Sequence, residues 1–155
     1  MKKKIIQDWK TQLFSKFDMK DLGAANYILG MEIKRDWAKR KIWLNQRKYA
    51  ETILQRFNMQ DNKPVNVPIP IGVRLSAEQC PKTQEEEEDM SRVPYASAVG
   101  SLMYAMVCTR PNITHAVGVL SRFMSKPGKE HWTAVKRVFR YLHGTSDYGL
   151  CYQGR

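Results

Sequence analysis

Tyr95-Ala96-Ser97-Ala98-Val99-Gly100-Ser101-Leu102-Met103-Tyr104 is the stretch on which the fold turns. It leads through the apolar run Ala98 to Val107, which predicts the buried body of a helix, with Ser91 placed to cap it. Gly100 falls in the middle. A glycine inside a helix costs about 1 kcal/mol relative to alanine, so something must compensate. Two explanations are open. A neighbouring helix can pack closely there, or a nucleic-acid backbone can approach the smooth face made with Ala96, Ser97 and Ser101.

Downstream, Thr109-Arg110-Pro111-Asn112 breaks the helix, since Pro111 suits the start of the next one. Ile113 to Met124 continues helically until Lys126-Pro127-Gly128. A third helix runs from Glu130 to Leu142 and is closed by Gly144 as a C-cap. Trp132, Val135, Phe139 and Leu142 line one side of it, with Lys136, Arg137 and Arg140 on or beside the other. Tyr148 to Tyr152 reads as a last strand.

Upstream, residues 60–94 change character. Pro64, Pro68 and Pro70 exclude regular structure, and the run Glu85 to Asp89 is charged throughout, so this stretch reads as an extended, exposed linker. Gln46 to Phe57 reads as a helix with Tyr49, Ile53, Leu54 and Phe57 on one face. Residues 27–35 read as a strand and Ile42-Trp43-Leu44 as its return, a β-hairpin in which Gly30 marks a bulge or a close backbone approach. Residues 4–17 have apolar groups at helical spacing, and Gly23 closes the turn after them. The expected class is α+β. A helix and hairpin occupy 1–58, a proline-rich, acidic linker 59–94, three helices 95–145, and a short closing segment 146–155.

The 155 residues carry 26 Lys and Arg against 15 Asp and Glu, a formal charge of +11. That excess points to a polyanionic partner, most commonly nucleic acid. Two basic groups stand out: the N-terminal lysines with Lys34, Arg35, Lys39, Arg40 and Lys41, and the set Lys126, Lys129, Lys136, Arg137 and Arg140. Phosphate contacts from either add salt-sensitive affinity without sequence preference, whereas the bland reading is a solvated face. Cys80, Cys108 and Cys151 lack any zinc spacing and read as reduced thiols of an intracellular protein, in cytoplasm or nucleus. No signal peptide or membrane span is expected. The sequence holds no Asp-Asp pair on a strand, no P-loop, no GxSxG and no HExxH, and His115, His131 and His143 are scattered. The residues therefore assign no catalytic group and no metal ligand.

Several motifs, in order, resemble the copia-type retrotransposon reverse transcriptases, plant elements most of all. They are Phe17-Asp18-Met19-Lys20-Asp21-Leu22-Gly23, Tyr27-Ile28-Leu29-Gly30-Met31-Glu32-Ile33, Leu44-Asn45-Gln46-Arg47-Lys48-Tyr49, Val99-Gly100-Ser101-Leu102-Met103-Tyr104, Thr109-Arg110-Pro111-Asn112-Ile113, Leu120-Ser121-Arg122-Phe123-Met124, His131-Trp132 and Lys136 through Thr145. The resemblance implies the end of a polymerase palm, a thumb, and the start of the connection toward RNase H. It implies that the sequence begins after the Tyr-Val-Asp-Asp strand that binds the catalytic metals. Mg²⁺ would then belong to the parent polymerase and no cofactor to this stretch, which is expected to be inactive alone. The hairpin resembles a primer grip, with Leu29, Gly30 and Met31 as contacts. The helix holding Gly100 resembles the thumb helix that tracks the minor groove, with Tyr104 one turn later. Ala96 departs from the polar residue that retroviral enzymes carry there. The implied partners are an RNA/DNA template–primer duplex, the rest of the palm and an RNase H domain. Three other readings stand beside this one: a polymerase with further upstream sequence, a non-catalytic basic nucleic-acid binder, and an element relic without function.

Overall fold

The alternation of apolar periods along the chain produces six α-helices and four strands in the computed structural model, which describes residues 2–154, with side chains from Lys4 onward. Met1, Arg155 and the side chains of Lys2 and Lys3, part of the N-terminal basic group, lie outside the described residues. The order is α1 (Lys2–Phe14), β1 (Tyr27–Ile28), β2 (Met31–Asp36), β3 (Lys41–Asn45), α2 (Arg47–Arg56), α3 (Gln84–Ser91), α4 (Tyr95–Cys108), α5 (Thr114–Ser121), α6 (Lys129–Gly144) and β4 (Gly149–Gln153). The α+β expectation holds.

The core forms where helical faces meet. In α4, Tyr95, Ala98, Val99, Leu102 and Ala105 recur every three or four residues and are buried. They pack against Val117 and Leu120 of α5, Val135, Val138, Phe139 and Leu142 of α6, and Ala50, Ile53 and Leu54 of α2. Burying each large side chain stabilises the fold by about 1.5–3 kcal/mol. Residues 47–56 thus share one core with 95–145. Tyr95 adds a buried hydrogen bond to the Leu120 carbonyl at 2.9 Å, and desolvation pushes its phenol up to about 12.

The expected strand over 27–35 is two strands. Ile28 pairs with Met31, so Leu29 and Gly30 form a two-residue hairpin turn with φ of 49° and 74°. Both central residues in the left-handed region are the mark of a turn whose twist matches the strands it joins. Gly30 is therefore a turn residue, neither a bulge nor an interior strand position. The β2–β3 hairpin matches the expected one, with Ile33 opposite Leu44. β4 then pairs antiparallel with β3, Leu150 opposite Leu44, completing a sheet in the order β1-β2-β3-β4. The apolar stripe of α1 stays exposed, with Ile5, Trp9 and Leu13 all open to solvent.

Residues 59–94 depart most from expectation. Met59 and Met90 are buried, and Ile69, Leu75, Cys80 and Val93 pack against the core, so the stretch is a strap across the bundle. The acidic run is helical, as α3. The Thr83 hydroxyl accepts from the Glu86 N–H at 3.3 Å, and Glu85, Glu86 and Glu87 sit at the positive end of the helix dipole. Ser91 ends α3; the residue before α4 is Pro94. Gly144 is still within α6 and Thr145 follows as the cap. Gly144 is small for another reason: a β-carbon there would lie 2.9 Å from the Pro64 ring.

Two further anchors hold the strap and the C-terminus. His131 is buried, stacked on Phe123 at 3.9 Å. Its Nδ1 accepts from the Gly128 N–H at 2.9 Å, which leaves the proton on Nε2 to donate to the Ser76 carbonyl at 3.1 Å. Arg110 is buried between α4 and the end of α6, donating to the Thr145 carbonyl at 2.8 Å and lying over the Tyr148 ring. A helix C-terminus is where a buried cation is best tolerated.

Candidate nucleic-acid interface

The hairpin turn and α4 meet through two tyrosines. The Tyr104 hydroxyl donates to the Leu29 carbonyl. Tyr49 of α2 lies edge-on to Tyr104, ring centroids 5.0 Å apart, and its hydroxyl donates to the Ser101 carbonyl at 3.1 Å. A β-carbon on Gly30 would meet both rings at 3.7–3.8 Å. Desolvation raises both phenols above the ordinary tyrosine value, so both stay protonated donors at neutral pH. The tyrosine pair thus fixes the turn on the helix.

Leu29 is unusual at this spot. It is 73% exposed and holds a left-handed backbone that asparagine or glycine adopts more readily. A residue that breaks a local rule in an exposed turn points to a role outside the fold.

Along α4 the outward face carries Ala96, Gly100, Met103, Tyr104 and Val107, at helical steps of three and four. Val107 is 76% exposed. Gly100 sits at the centre of this face, and a β-carbon there would find nothing within 4 Å. Helix–helix packing within the chain therefore does not explain the glycine.

The structure brings Leu29, Gly30, Gly100 and Tyr104 to one region, with Met31 half-buried at the start of β2. Lys136, Arg137 and Arg140 lie elsewhere, on the side of α6 that faces the strap, where they line a cavity with Ile69, Pro70 and Leu75. They are partly buried, not a freely solvated stripe. Lys126 and Lys129, expected in the same basic group, pair with Glu87 at 2.6 Å and Asp89 at 2.9 Å of α3. The acidic run thus folds back on part of the basic group. In the other basic group, Lys34, Lys39 and Arg40 remain exposed, while Arg35 donates to the Ala25 carbonyl at 2.6 Å.

Tyr49 escaped the sequence reading, which took it as one more apolar residue of its helix. Its polar end is what matters, and helical periodicity carries no signal for that. No group of three or more His, Cys, Asp or Glu residues gathers as a metal site among the described residues.

The relatives of this sequence lie among the reverse transcriptases. The reverse transcriptase (RNA-dependent DNA polymerase) family matches residues 1–71. The retrovirus-related Pol polyprotein from transposon TNT 1-94 of Nicotiana tabacum is 57% identical over 98% of this chain and 11% of its own length. Those from transposons RE2 and RE1 of Arabidopsis thaliana are 38% and 39% identical over 89% and 94% of this chain, each over 9% of its own length. The chain belongs to the reverse-transcriptase region of the copia-like plant retrotransposon Pol polyproteins, as its motifs implied. It spans about a tenth of the length of these relatives. No solved structure matches it.

Proposed function

We propose that this chain grips a template–primer duplex, with the Leu29–Gly30 turn and Met31 at the primer end and the Gly100–Tyr104 face of α4 along the minor groove. The observation that carries the reading is Gly100. A mid-helix glycine costs about 1 kcal/mol, nothing among the described residues lies within 4 Å of where its β-carbon would stand, and a smooth helix face admits a sugar–phosphate backbone closely. The excess of positive charge supplies the long-range attraction.

In this reading the polymerase chemistry belongs to the whole polyprotein, with its Mg²⁺ held by residues beyond these. The rest of the palm covers the apolar stripe of α1, and an RNase H domain follows. No helix among the described residues is long and apolar enough to cross a membrane. The three free cysteines fit an intracellular setting.

The test is fluorescence anisotropy of the purified chain with a primed RNA–DNA duplex. Affinity should fall steeply with salt. Gly100→Leu should weaken binding by about tenfold or more while the far-ultraviolet dichroism stays that of the parent. Equal binding by Gly100→Leu, or affinity unchanged between low and high salt, would rule the reading out.

A further inference from the structure

Lys136, Arg137 and Arg140 belong to a second feature, remote in composition from the α4 face. Glu130, Thr133, Ala134 and Arg137 stand at steps of three and four along α6 and form one wall of a cavity. The strap forms the other wall, with Met59, Ile69, Pro70, Val73 and Leu75. The volume is about 410 Å³. That lies within the range of small-molecule sites, about 300–1,000 Å³.

The cavity is two-faced. The strap side is mainly apolar, with Asn62 and Gln79 as its polar members. The helix side carries three cations, and among the described residues none of them has a carboxylate within ion-pair distance. Glu130 is the one acidic residue in the lining. Arg140 is fixed at the rim, its Nε donating to the Lys63 carbonyl at 2.6 Å. Arg137 Nε is buried without a hydrogen-bond partner. The Nε has no surface open to the cavity, so an acceptor from outside the chain would meet the terminal guanidinium nitrogens of Arg137, which no carboxylate of the described residues engages and which can take a phosphate in two parallel bonds. A flat apolar body against Ile69 and Leu75 would bring such an acceptor to it.

We infer that this cavity binds a small aryl phosphate of about mononucleotide size. The phosphate sits against Arg137 with Lys136 and Arg140 at its flanks, and the ring lies on the strap. Nothing in the inference depends on duplex binding by α4.

The probe is 1-naphthyl phosphate, titrated calorimetrically into the full chain, with 1-naphthol and inorganic phosphate as parallel arms. The phosphate ester should bind at least about tenfold tighter than either half. Arg137→Met should cost about tenfold in affinity, and Ile69→Glu, on the opposite wall, should cost a similar factor. Naphthol binding as tightly as the ester would make the cavity a mere apolar patch, and inorganic phosphate binding as tightly would make it a mere basic patch; either overturns the inference. Should Arg137→Met fail to fold, the parent chain decides. A rise in melting temperature at saturating 1-naphthyl phosphate, absent with the two halves, supports the site, and no rise overturns it.

Discussion

Replacing Gly100 by alanine should stabilise the isolated chain while weakening its hold on a duplex. The residue lies inside α4, its φ is not in the left-handed region, and an added β-carbon would meet nothing within 4 Å. Alanine therefore gains the full helix-propensity difference, about 1 kcal/mol, mostly by narrowing the unfolded ensemble. For a chain of this size that raises the melting temperature by about 2–4 °C. In urea the midpoint should rise with the slope unchanged. The same methyl roughens the face at the point where a backbone would approach, so duplex affinity should fall by about fivefold or more. The opposite signs are the point of the test. A lowered melting temperature would mean that the α4 face is packed, and the argument from open space would collapse. A stabilised chain with undiminished duplex affinity would leave Gly100 without the proposed role.

The other glycine with a strong expectation is Gly128, where a β-carbon would lie 1.7 Å from the Gln79 carbonyl oxygen. Gly128→Ala should destabilise by about 3 kcal/mol or more, read by urea unfolding. Burial holds the His131 imidazole below its ordinary 6.5, so below that pH the unfolded chain takes up the proton first. The contribution of His131 to stability is full above about pH 6.5 and is lost as the pH falls from there through its lower folded value. Melting temperatures from about pH 8 to about pH 5 should show this decline, and His131→Gln should flatten it. Arg110→Met removes the donors that tie the segment after α4 to the Thr145 carbonyl, and should cost about 2–4 kcal/mol in a denaturant titration.

The parts legible in the sequence are those where one face of an element is buried. α4 and α6 announce themselves because Val99, Leu102, Val135, Phe139 and Leu142 follow the helical period. α3 did not, because Glu85 to Asp89 are all exposed and give no period at all. Its signal lay in the start, where Thr83 precedes Glu86 by three residues and caps the helix. Its partners, Lys126 and Lys129, are some forty residues away and invisible to any local reading. The turn at Leu29 and Gly30 was missed because leucine is a poor choice for a left-handed position, so the pattern read as one unbroken strand. Half of the candidate contact residues come together for similar reasons. Gly100 and Tyr104 are one helical turn apart in any α-helix, whereas their meeting with Leu29 is made by the Tyr104 hydroxyl, with Tyr49 edge-on to its ring, a contact across the fold.

The pairing of β4 with β3 has a consequence for synthesis. Leu44 and its partner Leu150 are about a hundred residues apart in the chain. At about 5–20 residues per second, β3 leaves the ribosome roughly 5–20 s before the strand that will cover its edge. During that interval the free side of Ile42-Trp43-Leu44 is an unpaired, apolar ribbon, the kind of edge that templates association with a neighbouring nascent chain. The charged residues beside it, Arg40 and Lys41, are placed to keep such encounters apart until Gly149–Gln153 arrives. β4 is thus the element that ends the vulnerable period of β3.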